Sequence, residues 1–195
     1  MKKGDETERM IIESAEKLFS WKGFKDVSMS DLCNQTGLSR GGLYRHFSST
    51  DEVFIRLITD QYTFEEQIKN RESALLILNK TLDLIQKELM HPERSLSLAI
   101  YEFANTGEHR EIFQMIEGRA KERWMSLIRY GISTGEFSTV NAEAAAEMIL
   151  YYYQGLRMWS RVVNFDESYA LHYRQIVLSF LTGRDGANAE KEVTK

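Results

Sequence analysis

Proline is nearly absent: the chain has a single one, Pro92, in 195 residues, where an average composition holds about 5%. Proline breaks helices, so its scarcity leaves room for long uninterrupted ones. Cysteine is as scarce. Cys33 has no partner for an internal disulfide, and no set of Cys or His spacings suits a structural zinc site, so neither a metal nor a cofactor is expected. No apolar run approaches the roughly 18 residues that span a bilayer. The polar start, Met-Lys-Lys-Gly-Asp-Glu-Thr-Glu, carries no apolar signal core. No stretch alternates apolar and polar residues as a half-buried strand does. Neither His-Glu-x-x-His nor Gly-x-Ser-x-Gly occurs, and His46, His91, His109 and His172 lie far apart. These absences argue against a disulfide-stapled domain, a membrane protein, a metalloenzyme and the common hydrolases. The expectation is a soluble, cytoplasmic, all-helical chain with no membrane partner and no catalytic residue.

What is present is ordinary globular material, 43% hydrophobic and 28% charged. The net charge of −4 argues at first against a nucleic-acid partner, but the charge is unevenly spread. Residues 1–50 hold eight Lys/Arg against seven Asp/Glu, leaving 17 basic and 22 acidic residues for the rest. Within 22–50 the balance is four basic to two acidic. A DNA-facing end is therefore permitted near the N-terminus.

Helical periodicity opens at about Asp5, with Ile11, Ala15, Leu18 and Phe19 on one face, and stops at Gly23. Ser28 reads as an N-cap with Asp31 three residues on, starting a short helix that Gly37 ends. Ser39 caps a second short helix through Leu43, Tyr44 and Phe47. Ser49-Thr50-Asp51-Glu52 is a capping box for a helix expected over about 50–66. Residues 28–47 thus read as a helix-turn-helix held by Leu32, Cys33, Leu38, Leu43 and Phe47. Further helices are expected over 72–90, 93–105, 109–134, 142–163 and 167–182, about nine in all. The polar tail 183–195 is expected to be disordered. The domain boundaries expected are 1–50 for the helix-turn-helix and 51–182 for a second helical domain.

The stretch from Ser28 to Phe47, Ser-Met-Ser-Asp-Leu-Cys-Asn-Gln-Thr-Gly-Leu-Ser-Arg-Gly-Gly-Leu-Tyr-Arg-His-Phe, resembles the DNA-binding signature of TetR-family bacterial transcriptional regulators. The likeness spans about residues 8–58. Its elements are an apolar helix, Gly23-Phe24, a Ser cap, Gly37-Leu38-Ser39 and Leu43-Tyr44-x-His46-Phe47. The residues carry chemistry of their own. Gly41 and Gly42 inside a short helix cost roughly 1 kcal/mol each against alanine, a cost that close backbone approach to a major groove would offset. Arg40 can reach guanine O6 and N7 together. Ser28, Ser39, Tyr44 and His46 suit phosphate oxygens. Ser30, Arg45 and Thr50 complete the expected DNA-binding set, with backbone N–H groups near Thr50 at the helix start. Two departures from the family stand out: Thr50 where many members carry a phosphate-binding lysine, and Gly42 where Gly-Thr is commoner.

The resemblance also implies a homodimer on a pseudo-palindromic double-stranded operator, with the two reading helices one turn of DNA apart. Gly131-Ile-Ser-Thr-Gly-Glu-Phe137 and the run Ala144-Ala145-Ala146 are similar to the family's segment before its dimer helices. Tyr152, Leu156, Trp159, Ile176 and Phe180 are the candidate dimer contacts. An effector pocket for a small hydrophobic or amphipathic molecule is expected from Tyr62, Phe64, Tyr101, Phe103, Phe113, Met115, Trp124, Met125, Tyr151 and Met158. Glu102, Gln114, Arg123 or Arg157 would orient it. The implied activity is ligand-responsive transcriptional regulation, as a repressor released from its operator, with the helix over 50–66 as the lever. The alternatives are an activator of the same fold and a helical interaction adaptor that no longer binds DNA. An enzyme is the rival of another class, disfavoured by the missing motifs.

Overall fold

A computed structural model describes residues 3–59 and 63–184. Tyr62 and residues 185–195 of the tail lie outside them. Among the described residues there are ten α-helices and no strand, in the order α1 (Lys3–Lys22), α2 (Met29–Thr36), α3 (Arg40–Tyr44), α4 (Thr50–Thr59), α5 (Glu65–Lys69), α6 (Ala74–Met90), α7 (Ser97–Ala104), α8 (Arg110–Ser133), α9 (Ala142–Trp159) and α10 (Glu167–Thr182). A 3-10 turn, Pro92–Arg94, precedes α7. The all-helical expectation holds. The helix expected over 50–66 does not: α4 ends at Thr59 and α5 begins at Glu65. Phe64 explains the break, because its ring is 1% exposed, packed in the core with Trp124 at 5.9 Å between ring centres. The helix expected over 93–105 likewise splits, since Pro92–Arg94 form the 3-10 turn and Leu96 precedes α7.

The chain divides into two compact units, Met1–Gln61 with Glu93–Ile116, and Tyr62–Pro92 with Glu117–Lys195. The first unit is larger than residues 1–50, because α4, α7 and the start of α8 share its core. Ile11, Ala15 and Phe19 of α1 form the stripe that periodicity indicated, and all three are buried. They meet Leu32 of α2, Leu43 of α3, Val53 and Phe54 of α4, and Ala99 and Phe103 of α7. Four rings interlock there. Phe19 meets Phe54 edge-on at 4.8 Å, while Phe103 meets Phe24 at 4.7 Å and Phe54 at 5.0 Å. Each buried ring contributes about 1.5–3 kcal/mol of apolar transfer, and edge-to-face pairs add to it. Phe103 is therefore a core residue of this unit.

The same unit contains a hydrogen-bonded tie between distant segments. Gly23, in the left-handed region at φ 84°, ends α1, and the Glu102 carboxylate of α7 accepts the N–H of Phe24 at 2.7 Å and of Lys25 at 3.1 Å. Glu102, expected to orient an effector, instead holds the turn between α1 and α2.

The second unit packs α6, α8, α9 and α10 around Leu78, Leu82, Leu127, Ile128, Ile149, Tyr173, Val177 and Leu181. Ala145 and Ala146 are fully buried, so the small-residue run lets α9 lie close to its neighbours. Gly131 is required: a Cβ there would fall 2.2 Å from a Phe137 ring carbon. Glu136 caps α6 from outside the helix, accepting from the Ser73 hydroxyl and from the N–H groups of Ala74 at 3.0 Å and Leu75 at 3.1 Å. Arg157 pairs with Glu88 at 2.7 Å, and Arg123 lies 5.9 Å over the Phe64 ring. Both of these expected effector contacts thus have partners within the second unit, a half-buried carboxylate for Arg157 and a core ring for Arg123.

Candidate nucleic-acid interface

The pair α2–α3 is built by local signals. Ser28 and Asp31 form a reciprocal capping box: the Ser28 side chain accepts the Asp31 N–H at 3.2 Å, and the Asp31 carboxylate accepts the Ser28 N–H at 2.9 Å. The Ser28 hydroxyl also donates to that carboxylate. Lys22 of α1 closes on Asp31 at 2.8 Å. The Lys22 ammonium first, and the Ser28 bonds second, hold the Asp31 carboxyl well below the usual carboxylate range. Gly37 then takes the left-handed conformation at φ 72° that α2 needs to end, its N–H donating to the Cys33 carbonyl at 2.9 Å. Ser39 caps α3 by accepting the Gly42 N–H at 3.2 Å.

Spacing decides what α3 shows. Leu43 and Phe47, four residues apart, are buried and anchor it, which leaves Arg40, Gly41, Tyr44 and Arg45 pointing to solvent. Tyr44 is 46% exposed. Ser30 and Ser39 are exposed beside them, and His46 and Thr50 are half-buried. A Cβ built on Gly41 meets nothing within 4 Å, so none of the described residues demands glycine there. On Gly42 a Cβ would press the Ser39 hydroxyl at 3.3 Å.

Two expectations change with this geometry. The Ser28 hydroxyl proton is committed to Asp31, so the donor it would offer a phosphate is already used. Ser39 accepts from Gly42 and keeps its proton for a ligand. At the start of α4, Ser49 accepts the Glu52 N–H at 3.1 Å as expected, but Glu52 turns back to Ser48, accepting its N–H at 2.6 Å and its hydroxyl at 2.7 Å. These bonds hold the Glu52 carboxyl below its ordinary range. With Asp51 and Glu52 in its first turn, this helix start offers an anion less than its N–H groups alone would. The structural parts of Lys22 and Glu102 have no signal in the sequence. Lys22 lies nine residues from Asp31 and Glu102 lies 77–78 from the turn, separations for which periodicity has no signal.

The other expected residues fall in both units. Tyr101, Phe113 and Met115 belong to the first, with Tyr101 and Met115 exposed. Trp124 and Met125 are buried in the core of the second, whereas Tyr151 and Met158 are exposed on it. Among the candidate dimer contacts, Tyr152 and Leu156 pack partly against the core of the second unit. Trp159, Ile176 and Phe180 are 59%, 44% and 44% exposed.

A helix-turn-helix whose second helix turns an arginine, a tyrosine and a bare glycine backbone to solvent defines a DNA-binding transcriptional regulator. The sequence profile of bacterial regulatory proteins, tetR family, matches residues 11–57. The HTH-type transcriptional regulator YfiR of Bacillus subtilis is 31% identical over 146 residues, covering 70% of each chain. QacR of Staphylococcus aureus, another HTH-type transcriptional regulator, is 22% identical over 184 residues, covering 88% of this chain and 96% of its own. The crystal structure of TylP, a TetR regulator from Streptomyces fradiae, superposes with a TM-score of 0.68 at 18% identity, covering 99% of this chain and 97% of that one. The chain belongs to the TetR family of bacterial regulatory proteins.

Proposed function

We propose that the chain acts as a homodimeric repressor that sits on a pseudo-palindromic operator and leaves it when a small hydrophobic or amphipathic effector binds the helical part beyond the reading head. The observation that carries the reading is the solvent face of α3, where Arg40, Gly41, Tyr44 and Arg45 stand together around an anchored Leu43. Arg40 reads guanine, while Tyr44, Ser39 and His46 fix the register on phosphates. One such head has too few base contacts to select a site alone, and two copies about 34–36 Å apart meet successive major grooves. Support for the second copy comes from the exposed apolar side chains of Trp159, Val162, Tyr169, Ile176 and Phe180 on α9, α10 and the loop between them. A single soluble chain gains nothing by leaving so many large apolar side chains of two successive helices in water.

The test is binding of the purified chain to the DNA upstream of its own gene, against scrambled DNA, at two salt concentrations. Selective binding with a steep salt slope, lost in Arg40→Ala and Tyr44→Ala, is expected. Equal weak binding to every fragment of the surrounding genome would favour the adaptor reading.

A further inference from the structure

We propose that Glu102 is a positioning residue for DNA recognition: from α7, its carboxylate fixes the turn that launches α2, and so the pose of the reading pair α2–α3. The helix α1 closes with the Gly23 N–H on the Phe19 carbonyl at 3.0 Å. The next two backbone donors, on Phe24 and Lys25, have left the helix, and one oxygen of Glu102 takes both, at 2.7 and 3.1 Å. Gly23 is shaped around that oxygen. Its φ of +84° suits glycine, and a Cβ there would lie 2.6 Å from Glu102 Oε2. Bonds from backbone N–H groups to an ionised carboxylate are about twice as strong as neutral ones. The adjacent residue on α7, Phe103, holds the same turn by its ring, packed on Phe24.

Only Asp26 and Val27 separate this turn from Ser28, the cap of α2. Val27 is buried, and its N–H donates to the Phe24 carbonyl at 3.3 Å. The path from Glu102 to the reading pair is therefore five residues of backbone with both ends fixed. Glu102 also lies in the segment Glu93–Ile116, whose two ends continue directly into chain of the other unit. The role proposed for Glu102 rests on the DNA-reading function proposed above.

The experiment uses the full-length chain with Glu102→Ala and Glu102→Gln, and as probe a duplex selected from random DNA by the wild type. Affinity for that duplex and for an unrelated one is measured well below the melting temperature, alongside amide exchange at Phe24, Lys25, Leu32 and Leu43. In Glu102→Ala, exchange at Phe24 and Lys25 speeds up about tenfold or more while Leu32 and Leu43 stay protected. Affinity for the selected duplex falls by about tenfold or more, and affinity for the unrelated one stays within about twofold. Glu102→Gln, which keeps an acceptor oxygen without the charge, falls between, and it carries the test if the alanine variant does not fold. Faster exchange with unchanged site affinity would overturn the proposal, leaving Glu102 a structural tie only; unchanged exchange at Phe24 and Lys25 would overturn it too. A wild type that selects no sequence would instead sink the DNA-reading function on which the proposal rests.

Discussion

Replacing Gly41 with alanine separates the needs of folding from the needs of DNA reading. In the free protein the new methyl group meets nothing within 4 Å. Gly41 is also helical, and its φ is not among the positive ones. Alanine there should therefore gain helix propensity of about 1 kcal/mol, or about half of that in so short a helix. The gain is confined to the reading head, so amide exchange at Leu32 and Leu43 is the assay to choose. A 1 kcal/mol gain slows globally limited exchange about fivefold. The same methyl group would stand beside Tyr44 on the exposed side of α3, holding the backbone off the base edges. Operator affinity should fall by about tenfold, or about 1.4 kcal/mol, while binding to unrelated DNA changes little. A more stable head with weaker operator binding is the expected pair of results. Gly41→Ala that binds the operator as tightly as the wild type would refute the close-approach argument. Gly42 is the wrong place for this test, because a Cβ there would press the Ser39 hydroxyl that caps α3.

Ser28→Ala should destabilise the head by about 1 kcal/mol through loss of its cap while leaving operator affinity within a few-fold. Ser39→Ala should weaken operator binding beyond its effect on stability, because Ser39, unlike Ser28, keeps its hydroxyl proton for a ligand; equal losses in a filter-binding series would contradict the assignment. Asp31 titrates below its ordinary range, so its stabilising bonds are fully present above the unfolded carboxylate range and are lost as pH falls through the depressed folded value. Asp31→Asn should therefore cost stability at neutral pH, and in acid melts its deficit against the wild type should shrink. Trp159→Asp should give a folded monomer in sedimentation at micromolar concentration, since it puts a charge among the exposed side chains proposed to face a second copy.

The features legible in the sequence are those whose partners are close along the chain. Ser28 with Asp31, Gly37 after α2, and Ser39 under Gly42 are contacts within four residues, and capping chemistry alone indicates each one. The stripe of Ile11, Ala15 and Phe19 was legible for a related reason: its period belongs to the helix, whatever the helix packs against. The break between α4 and α5 was not. Over 50–66 the local pattern favours one helix, and the 1% exposure of Phe64 in a core shared with Trp124, sixty residues on, overrides it. Local preference sums to a few tenths of a kcal/mol per residue, whereas burying one phenylalanine contributes about 1.5–3 kcal/mol.

The same inequality explains why α7 escaped assignment to the reading head. Its sequence, Ser97 to Ala104, carries only an apolar bias, with nothing to say which core receives it. Phe103 and Glu102 decide that together, one by packing on Phe24 and Phe54, the other by taking the N–H groups that Gly23 turns outward. Neither residue is exceptional alone, because a Glu-Phe pair on a helix is ordinary. The informative residue was Gly23, whose left-handed turn exposes two donors with no acceptor nearby in sequence. Buried or half-buried backbone donors need partners. The half-buried Phe24 N–H needs an acceptor that its own neighbours do not supply, and the Glu102 carboxylate, 78 residues on, provides it and takes the exposed Lys25 N–H as well.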